Sequence, residues 1–302
     1  MNITLEQNYI SVVLVIHDFT EEINLKIKNI EKVLKTHFKA SEFIIVDNTL
    51  EEIEWKEKLT IKNKYTIIKL PIKHSGQRAL NAGIAMAIGD YIVEIEDFSV
   101  DIDYNVLLEM YKKSQESYDF IFLTPKKVKI SSMIFYKIIN HYFKNKWNEK
   151  VGSSLMILSS RRGQNKISEL GNQIINRNLA YILSGLKNYS ITIDLKYKNK
   201  KNFSKNLMLM FDSLLYYTDI LILLSQSLSF FFLILFIFEI VYCFTLEFFY
   251  SDITVWIFLS IIVSLAFCGI FFMLSIIIRY LHHILKGSSQ AKSYIYSFID
   301  KQ

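Results

Sequence analysis

Ser11-Val-Val-Leu-Val-Ile-His-Asp18 is the stretch that decides the fold. An unbroken aliphatic run, Val12 to Ile16, is followed at once by a polar pair, His17-Asp18. A run this short, rich in β-branched residues, reads as a strand buried on both faces. With His17, Asp18, Glu21 and Glu22 directly behind it, it does not read as a cleavable signal. Working outward, Glu21–Lys35 carries Ile23, Ile27, Ile30 and Val33 at helical spacing, and Glu42–Val46 is a second strand. Tyr65–Leu70 is a third strand, Arg78–Ala87 a helix, and Tyr91–Ile95 a fourth strand. Strands and helices in alternation predict an α/β fold with a mostly parallel, doubly wound sheet. Ligands of such sheets sit beyond the carboxyl ends of the strands. That rule singles out His17-Asp18, Asp47-Asn48, Lys73–Arg78 and Glu96-Asp97.

Past Asp97 the pattern continues with a helix near Tyr104–Ser114, a strand at Asp119–Leu123 and a helix near Ser131–Phe143. Strands follow around Leu155–Leu158 and at Ser190–Leu195. From Lys205 the chain is apolar, with Lys205, Asp212, Asp219 and Gln226 on a seven-residue beat. One narrow polar stripe on an apolar helix suits a membrane interface, with a buried amphipathic helix of the domain as the alternative. Two long apolar runs come next, Leu228–Leu246 and Ile253–Ile278. Each approaches or exceeds the roughly 20 residues that cross a hydrocarbon core of about 30 Å. The expected organisation is a cytoplasmic domain over 1–204, an interface helix over 205–226, and a transmembrane hairpin with a cytoplasmic tail over 227–302.

Charge sets the orientation. The chain has 302 residues and a net charge of +6. Lys196, Lys198, Lys200, Lys201 and Lys205 precede the hairpin, and Arg279, Lys286 and Lys292 follow it. The link between the runs offers only Glu247 and Asp252. Positive-inside bias puts the large domain and the tail in the cytoplasm, as a multi-pass protein of the cytoplasmic (inner) membrane. Aromatics are sparse among these lysines, which adjoin a membrane segment, so the expected partner is the headgroup layer of a lipid bilayer, with no nucleic acid. Cys243 and Cys268 both fall inside the apolar runs, which excludes a disulfide framework. Glu239, mid-span with no Lys or Arg to pair with, reads as a protonated acid bonded to Ser260, Ser264 or a neighbouring protomer. His282-His283 follow the second run and are expected among headgroups.

Five segments carry a resemblance. Ser11–Glu22 resembles the opening strand and loop of family 2 glycosyltransferases, and Phe43–Asn48 their second strand. Ala79-Leu-Asn-Ala-Gly83 and Gly89-Asp-Tyr-Ile-Val93 resemble their third and fourth motifs at the usual separation. Arg279-Tyr-Leu, with Tyr294-Ile further on, resembles the tail of the polyprenyl-phosphate branch, the dolichyl-phosphate-mannose-synthase type with two C-terminal membrane helices. The resemblance covers nearly the whole chain. It implies a GT-A type sheet and inverting transfer of a sugar from a nucleotide sugar to a polyprenyl phosphate, for cell-surface glycan synthesis. A homo-oligomer is consistent with it.

The same resemblance implies the site. Asp18, Asp47 and Asn48 would line the nucleotide pocket, as carboxylates and amides suited to base N–H groups and ribose hydroxyls. Arg78 and Asn81, on the loop and helix start after the third strand, are further nucleotide-binding candidates, and Arg78 suits the diphosphate through its guanidinium fork. A divalent cation, Mg²⁺ or Mn²⁺, would be held at the end of the fourth strand, where the family carries Asp-x-Asp. This chain reads Glu96-Asp97-Phe98 there, so Glu96 and Asp97 stand as catalytic and metal-ligating candidates with Asp101 assisting. A shifted or metal-poor site is the second reading, and a domain that only binds, as a membrane scaffold or partner subunit, is the third. Arg161 and Arg162, and Ser204 with Lys205 before the interface helix, are the candidates for the lipid phosphate. The acidic residue of the family's acceptor motif is missing, with Ser154 nearest. A phosphate oxygen is already anionic and needs no general base, whereas a lipid-alcohol acceptor would, leaving His17 and His74 as the nearby imidazoles.

Overall fold

The alternation closes into an eight-stranded sheet of order β7-β5-β6-β4-β1-β2-β3-β8. The computed structural model describes residues 5–49, 51, 53–96, 98, 100–128, 130–143, 150–169, 174–194, 203–250, 255–287 and 298–301. In chain order the first elements are β1 (Ile10–Ile16), α1 (Glu21–His37), β2 (Ser41–Asp47), α2 (Trp55–Lys58) and β3 (Lys64–Lys69). Then come α3 (Gly76–Ile84), β4 (Tyr91–Ile95), α4 (Val106–Gln115), β5 (Phe120–Pro125) and α5 (Ile130–Phe143). The series continues with β6 (Met156–Ser160), α6 (Arg161–Glu169), α7 (Arg177–Leu183) and β7 (Asn188–Ile193). It ends with α8 (Phe203–Tyr217), α9 (Ile220–Tyr250), α10 (Val255–Gly287) and β8 (Phe298–Lys301).

β1 is buried throughout because helices cover both sides of it. Val12, Leu14 and Ile16 pack with Ile27, Ile30 and Leu34 of α1. Val13 and Val15 face the other way, onto Ala79, Leu80 and Ala82 of α3. Gly83 lets α3 lie this close: a Cβ there would stand 2.8 Å from Val46 Cγ2. Strands β4, β1, β2 and β3 run parallel, the doubly wound arrangement read from the sequence. β6 runs against β4 and β5, while β5 and β7 are parallel to each other. The carboxyl ends of β1 to β5 and of β7 therefore share one rim, together with the amino end of β6.

Two compact units divide the chain: Met1–Leu209 with Gln290–Gln302, and Met210–Ser289. The C-terminal segment is a sheet element as well as a tail, since β8 pairs antiparallel with Thr66–Lys69 of β3. In the second unit, α9 and α10 stack Phe232 against Phe267 and Phe271, with centroids 5.1 and 5.6 Å apart. Ser225 donates to the Phe271 carbonyl at 2.7 Å, and the Glu239 carboxyl accepts from Ser260 and Ser264. Ile220–Leu246 and Val255–His282 are long and apolar enough to cross a membrane. Only 17% and 11% of their most apolar windows is buried, unlike core helices.

Two expectations change here. The continuous helix over 205–226 is broken between α8 and α9, where the Thr218 hydroxyl donates to the Leu214 carbonyl at 2.6 Å and accepts from Ile220 N. Gln226 thus belongs to the first long apolar helix. His282, expected among headgroups, is 7% exposed and stands 3.9 Å from the Asp219 carboxylate.

Candidate functional site

The rim at the carboxyl ends of β1 to β4 is knitted together by Asn48. Its backbone N–H donates to Ile16 O at 2.9 Å, tying the ends of β1 and β2. Its side-chain amide donates to His74 O at 2.8 Å and to His17 Nδ1 at 3.0 Å, and its carbonyl accepts from His74 N at 2.9 Å. An amide nitrogen can only donate, so His17 Nδ1 accepts and its proton is on Nε2. Asn48, a nucleotide-pocket candidate, is thereby fully buried and holds the loop before α3 in place. Burial, reinforced by the nearby Arg78 charge, lowers the pKa of His74 and keeps that ring neutral.

Asp47 is 1% exposed and its carboxylate is spoken for within the fold. One oxygen accepts from Thr49 N at 3.0 Å and Thr49 Oγ1 at 2.7 Å, the other from Trp55 Nε1 at 2.9 Å. This is an Asx-type turn that shapes the loop after β2. Asp18 and Arg78 are exposed on the same rim, Asp18 just past β1 and Arg78 in the first turn of α3. Ser75 caps that helix by accepting from Arg78 N.

Glu96 leaves β4 beside the start of α3. Its carboxylate accepts from Gln77 Nε2 at 2.6 Å. Gly76 gives it room: a Cβ there would lie 2.6 Å from Glu96 Cγ and 2.8 Å from its Cδ. Phe98, standing where the second acid of the motif would be, is 6% exposed in the core, and its carbonyl accepts from buried Lys26 at 2.6 Å. Asp97 lies outside the described residues, and Asp101 is exposed. Among the described residues no three His, Cys, Asp or Glu side chains gather to hold a metal ion. Divalent cations on substrate phosphates commonly use only one or two protein carboxylates. Glu96, cradled by Gly76 and backed by an acidic neighbour in sequence, fits that oxygen-only chemistry.

Below this rim lies a buried polar cluster that pattern reading missed. Arg177, 1% exposed, donates from Nε to Glu94 Oε2 at 2.5 Å and from Nη2 to Gln164 at 3.4 Å. It also donates to Asn81 Oδ1 and to the Tyr181 hydroxyl, and Tyr181 in turn donates to Glu94. Gln164 donates to Glu94 Oε1 at 2.8 Å and Ser159 adds a weaker bond at 3.4 Å. Burial alone would lower the Arg177 pKa; Glu94 and then Tyr181 overcome it and raise it, so the guanidinium stays charged. The Arg177 backbone N–H donates to Gln77 Oε1 at 3.0 Å, linking the cluster to the residue that holds Glu96. Asn81, a nucleotide-binding candidate, is 8% exposed and belongs to this cluster. The signals in the sequence were a lone acid inside β4 and a lone arginine starting α7.

The expected lipid-phosphate pair is corrected by the topology. Because β6 is antiparallel, Ser160 stands opposite Tyr91, so Arg161 and Arg162 emerge at the amino end of β4, on the rim opposite Glu96. Arg161 donates to the carbonyls of Ala87 and Gly89 at 2.8 and 2.6 Å, bracing the turn into β4. Arg162 forms a fork with Asp119 at 3.0 and 2.5 Å. Neither can meet a phosphate bound at the Glu96 rim. Ser154, by contrast, precedes β6 on the Glu96 rim and donates to Asn178 at 2.7 Å. Ser204 and Lys205 fall in the first turn of α8, with side chains outside the described residues.

Neither a family model nor a curated protein matches the sequence. Solved structures do match in fold. Glucosyl-3-phosphoglycerate synthase from Mycobacterium tuberculosis, in complex with Mn²⁺, uridine diphosphate and phosphoglyceric acid, superposes with a TM-score of 0.53 at 12% identity. That match covers 69% of this chain and 76% of the other. A complex of the same enzyme with Mn²⁺, uridine-diphosphate-glucose and phosphoglyceric acid gives 0.52 at 11% identity, over 69% and 78% of the two chains. A further mycobacterial protein gives 0.51 at 12% identity, over 67% and 71%. The sheet is of the GT-A type, the fold it shares with these solved structures.

Proposed function

We propose that this chain is a glycosyltransferase that moves a sugar from a nucleotide-sugar donor to a polyprenyl phosphate, with inversion, at the cytoplasmic face of a membrane. One observation carries the reading. The rim that bears Asp18, Arg78 and Glu96 is also the rim where the last strand before the apolar hairpin in sequence ends and the first strand after it begins. β7 ends there at Ile193, whose carbonyl accepts from Lys126 just past β5. β8 enters there, with Phe298 opposite Lys69. The donor half is further supported by the fold, whose solved relatives are complexes with uridine diphosphate or its glucose conjugate.

In this reading Asp18 accepts from the nucleoside, and Arg78 with the first N–H groups of α3 receives the diphosphate. A divalent cation, such as the Mn²⁺ named in the relatives' complexes, would offset charge on the leaving diphosphate; Glu96, with Asp97 and Asp101, would hold it. Gln77 fixes the Glu96 carboxylate and Gly76 leaves it space. The acceptor phosphate meets Lys205 and Ser204. Its oxygen forms the new bond to the anomeric carbon as the bond to the diphosphate breaks, and the nucleoside diphosphate leaves with the electron pair. No side chain must take a proton, so the step asks nothing of His17 or His74.

The experiment supplies membranes containing the chain with radiolabelled nucleotide sugars, undecaprenyl phosphate and Mg²⁺ or Mn²⁺. A lipid-linked sugar is expected with at least one donor, and its yield should collapse in Asp97→Ala. No lipid product with any donor would sink the reading. The second reading, a non-catalytic membrane scaffold, is favoured by the burial of Phe98 where an acid would be needed. It expects Asp97→Ala to leave the cellular phenotype intact while deletion of the hairpin abolishes it.

A further inference from the structure

Helix α5 is apolar on both sides, yet among the described residues only one side is covered by the protein. Phe135, Ile139 and Phe143 form its inner face, at 7%, 0% and 5% exposure. Asn140 pins it there, exchanging bonds with Val151 N and O at 2.8 and 3.0 Å. The outer face is also apolar: Met133, Ile134 and Ile138 are 54%, 50% and 37% exposed, and Val128 before the helix is 38% exposed. A surface helix of a water-soluble domain normally turns charge outward. A contiguous exposed apolar face is the mark of an interaction surface.

Charge and position say what covers it. The helix contains no acidic residue, and its outer face adds exposed Lys137 and His141. Lys126 and Lys127, both exposed, precede it. Apolar side chains framed by lysines suit the boundary between acyl chains and anionic headgroups. α5 also begins just past β5, on the rim where β7 ends and β8 enters.

We propose that the Met133–Ile134–Ile138 face of α5 lies in the interface of the bilayer, so that the soluble unit touches the membrane with its donor-site rim as well as through its hairpin. This deepens the transferase reading and rests on it for its purpose. A sheet tethered only by linkers could tumble; a sheet resting on α5 presents Glu96 and Arg78 to an acceptor phosphate at headgroup depth.

The test uses the full chain in vesicles of phosphatidylcholine with phosphatidylglycerol. Cys243→Ala and Cys268→Ala clear the background, and Ile134→Cys takes an environment-sensitive fluorophore. The expected result is blue-shifted emission, quenched by lipids with a nitroxide high on the acyl chain. Adding Ile138→Ser should lower the inserted-to-free ratio about tenfold, the worth of one buried aliphatic side chain. Emission matching a label on exposed Lys112, unquenched in these vesicles, overturns the proposal and leaves the face to a protein partner. Quenching needs no catalysis. A quenched label on a protein that transfers no sugar keeps this proposal and sinks the transferase reading; an unquenched label on an active enzyme does the reverse.

Discussion

Replacing Arg177 by methionine tests the buried polar cluster of the sheet-bearing unit. Arg177 and Glu94 are each 1% exposed at the side chain and meet at 2.5 Å. Removing the guanidinium leaves a carboxylate stranded out of water, a loss of about 3–5 kcal/mol for buried pairs. Asn81, Gln164 and Tyr181 lose a partner at the same time, so the upper half of that range is expected. At about 1.4 kcal/mol per factor of ten, amide exchange in β4 should quicken by at least roughly a hundredfold. Hydrogen exchange on the full chain in detergent micelles reads this segment directly. The companion variant Glu94→Leu/Arg177→Met removes both charges, and should exchange no faster than Arg177→Met alone, because no charge is left stranded. An Arg177→Met protein within about tenfold of the parent, or a double variant whose loss equals the sum of the singles, would refute the claim that the pair is desolvated and coupled.

Two further outcomes are expected. Gly76→Ala should fold, since the atoms it strikes belong to the Glu96 side chain and not to backbone, but by pushing that carboxylate off Gln77 it should weaken binding of Mn²⁺ with a nucleotide diphosphate, followed by calorimetry, at least several-fold. Glu31 predicts an acid-side dependence: burial pushes its pKa up, but Lys35 and the backbone N–H groups of Lys62 and Asn63 prevail and hold it below the ordinary value. A depressed folded-state pKa gives stability that is whole above the ordinary carboxylate range and fades as pH falls through the folded value. Thermal melting between about pH 6 and 3 should therefore drop less in Glu31→Gln than in the parent.

Much of the sheet was legible because burial on two faces leaves an unmistakable mark. Tyr91–Ile95 matches β4 residue for residue, and the run from Val12 to Ile16 is the centre of the sheet. What local pattern cannot carry is direction. A strand facing up and a strand facing down look alike in sequence, and β6 is antiparallel, so Arg161 and Arg162 were expected at the wrong rim. Asp47, Asn48 and Asn81 illustrate a second blindness. The residue types that recognise ligands also shape loops, and all three are buried and bonded within the fold. The seven-residue polar beat ran through Thr218, whose hydroxyl turns back on Leu214 and ends the helix there. The Arg177 cluster joins β4, α3, α6 and α7 through single polar residues, too sparse along the chain to announce one another.

The pairing of β8 with β3 has a topological consequence. It ties off the segment between Ile193 and Phe298 like a loop of rope whose two ends are cleated to one post. Whatever α9 and α10 do in a bilayer, a loop secured in this way can pierce it an even number of times and never an odd number. Severing that clasp, for example with a proline at Ile299, is what would first allow the terminus to wander to the far side.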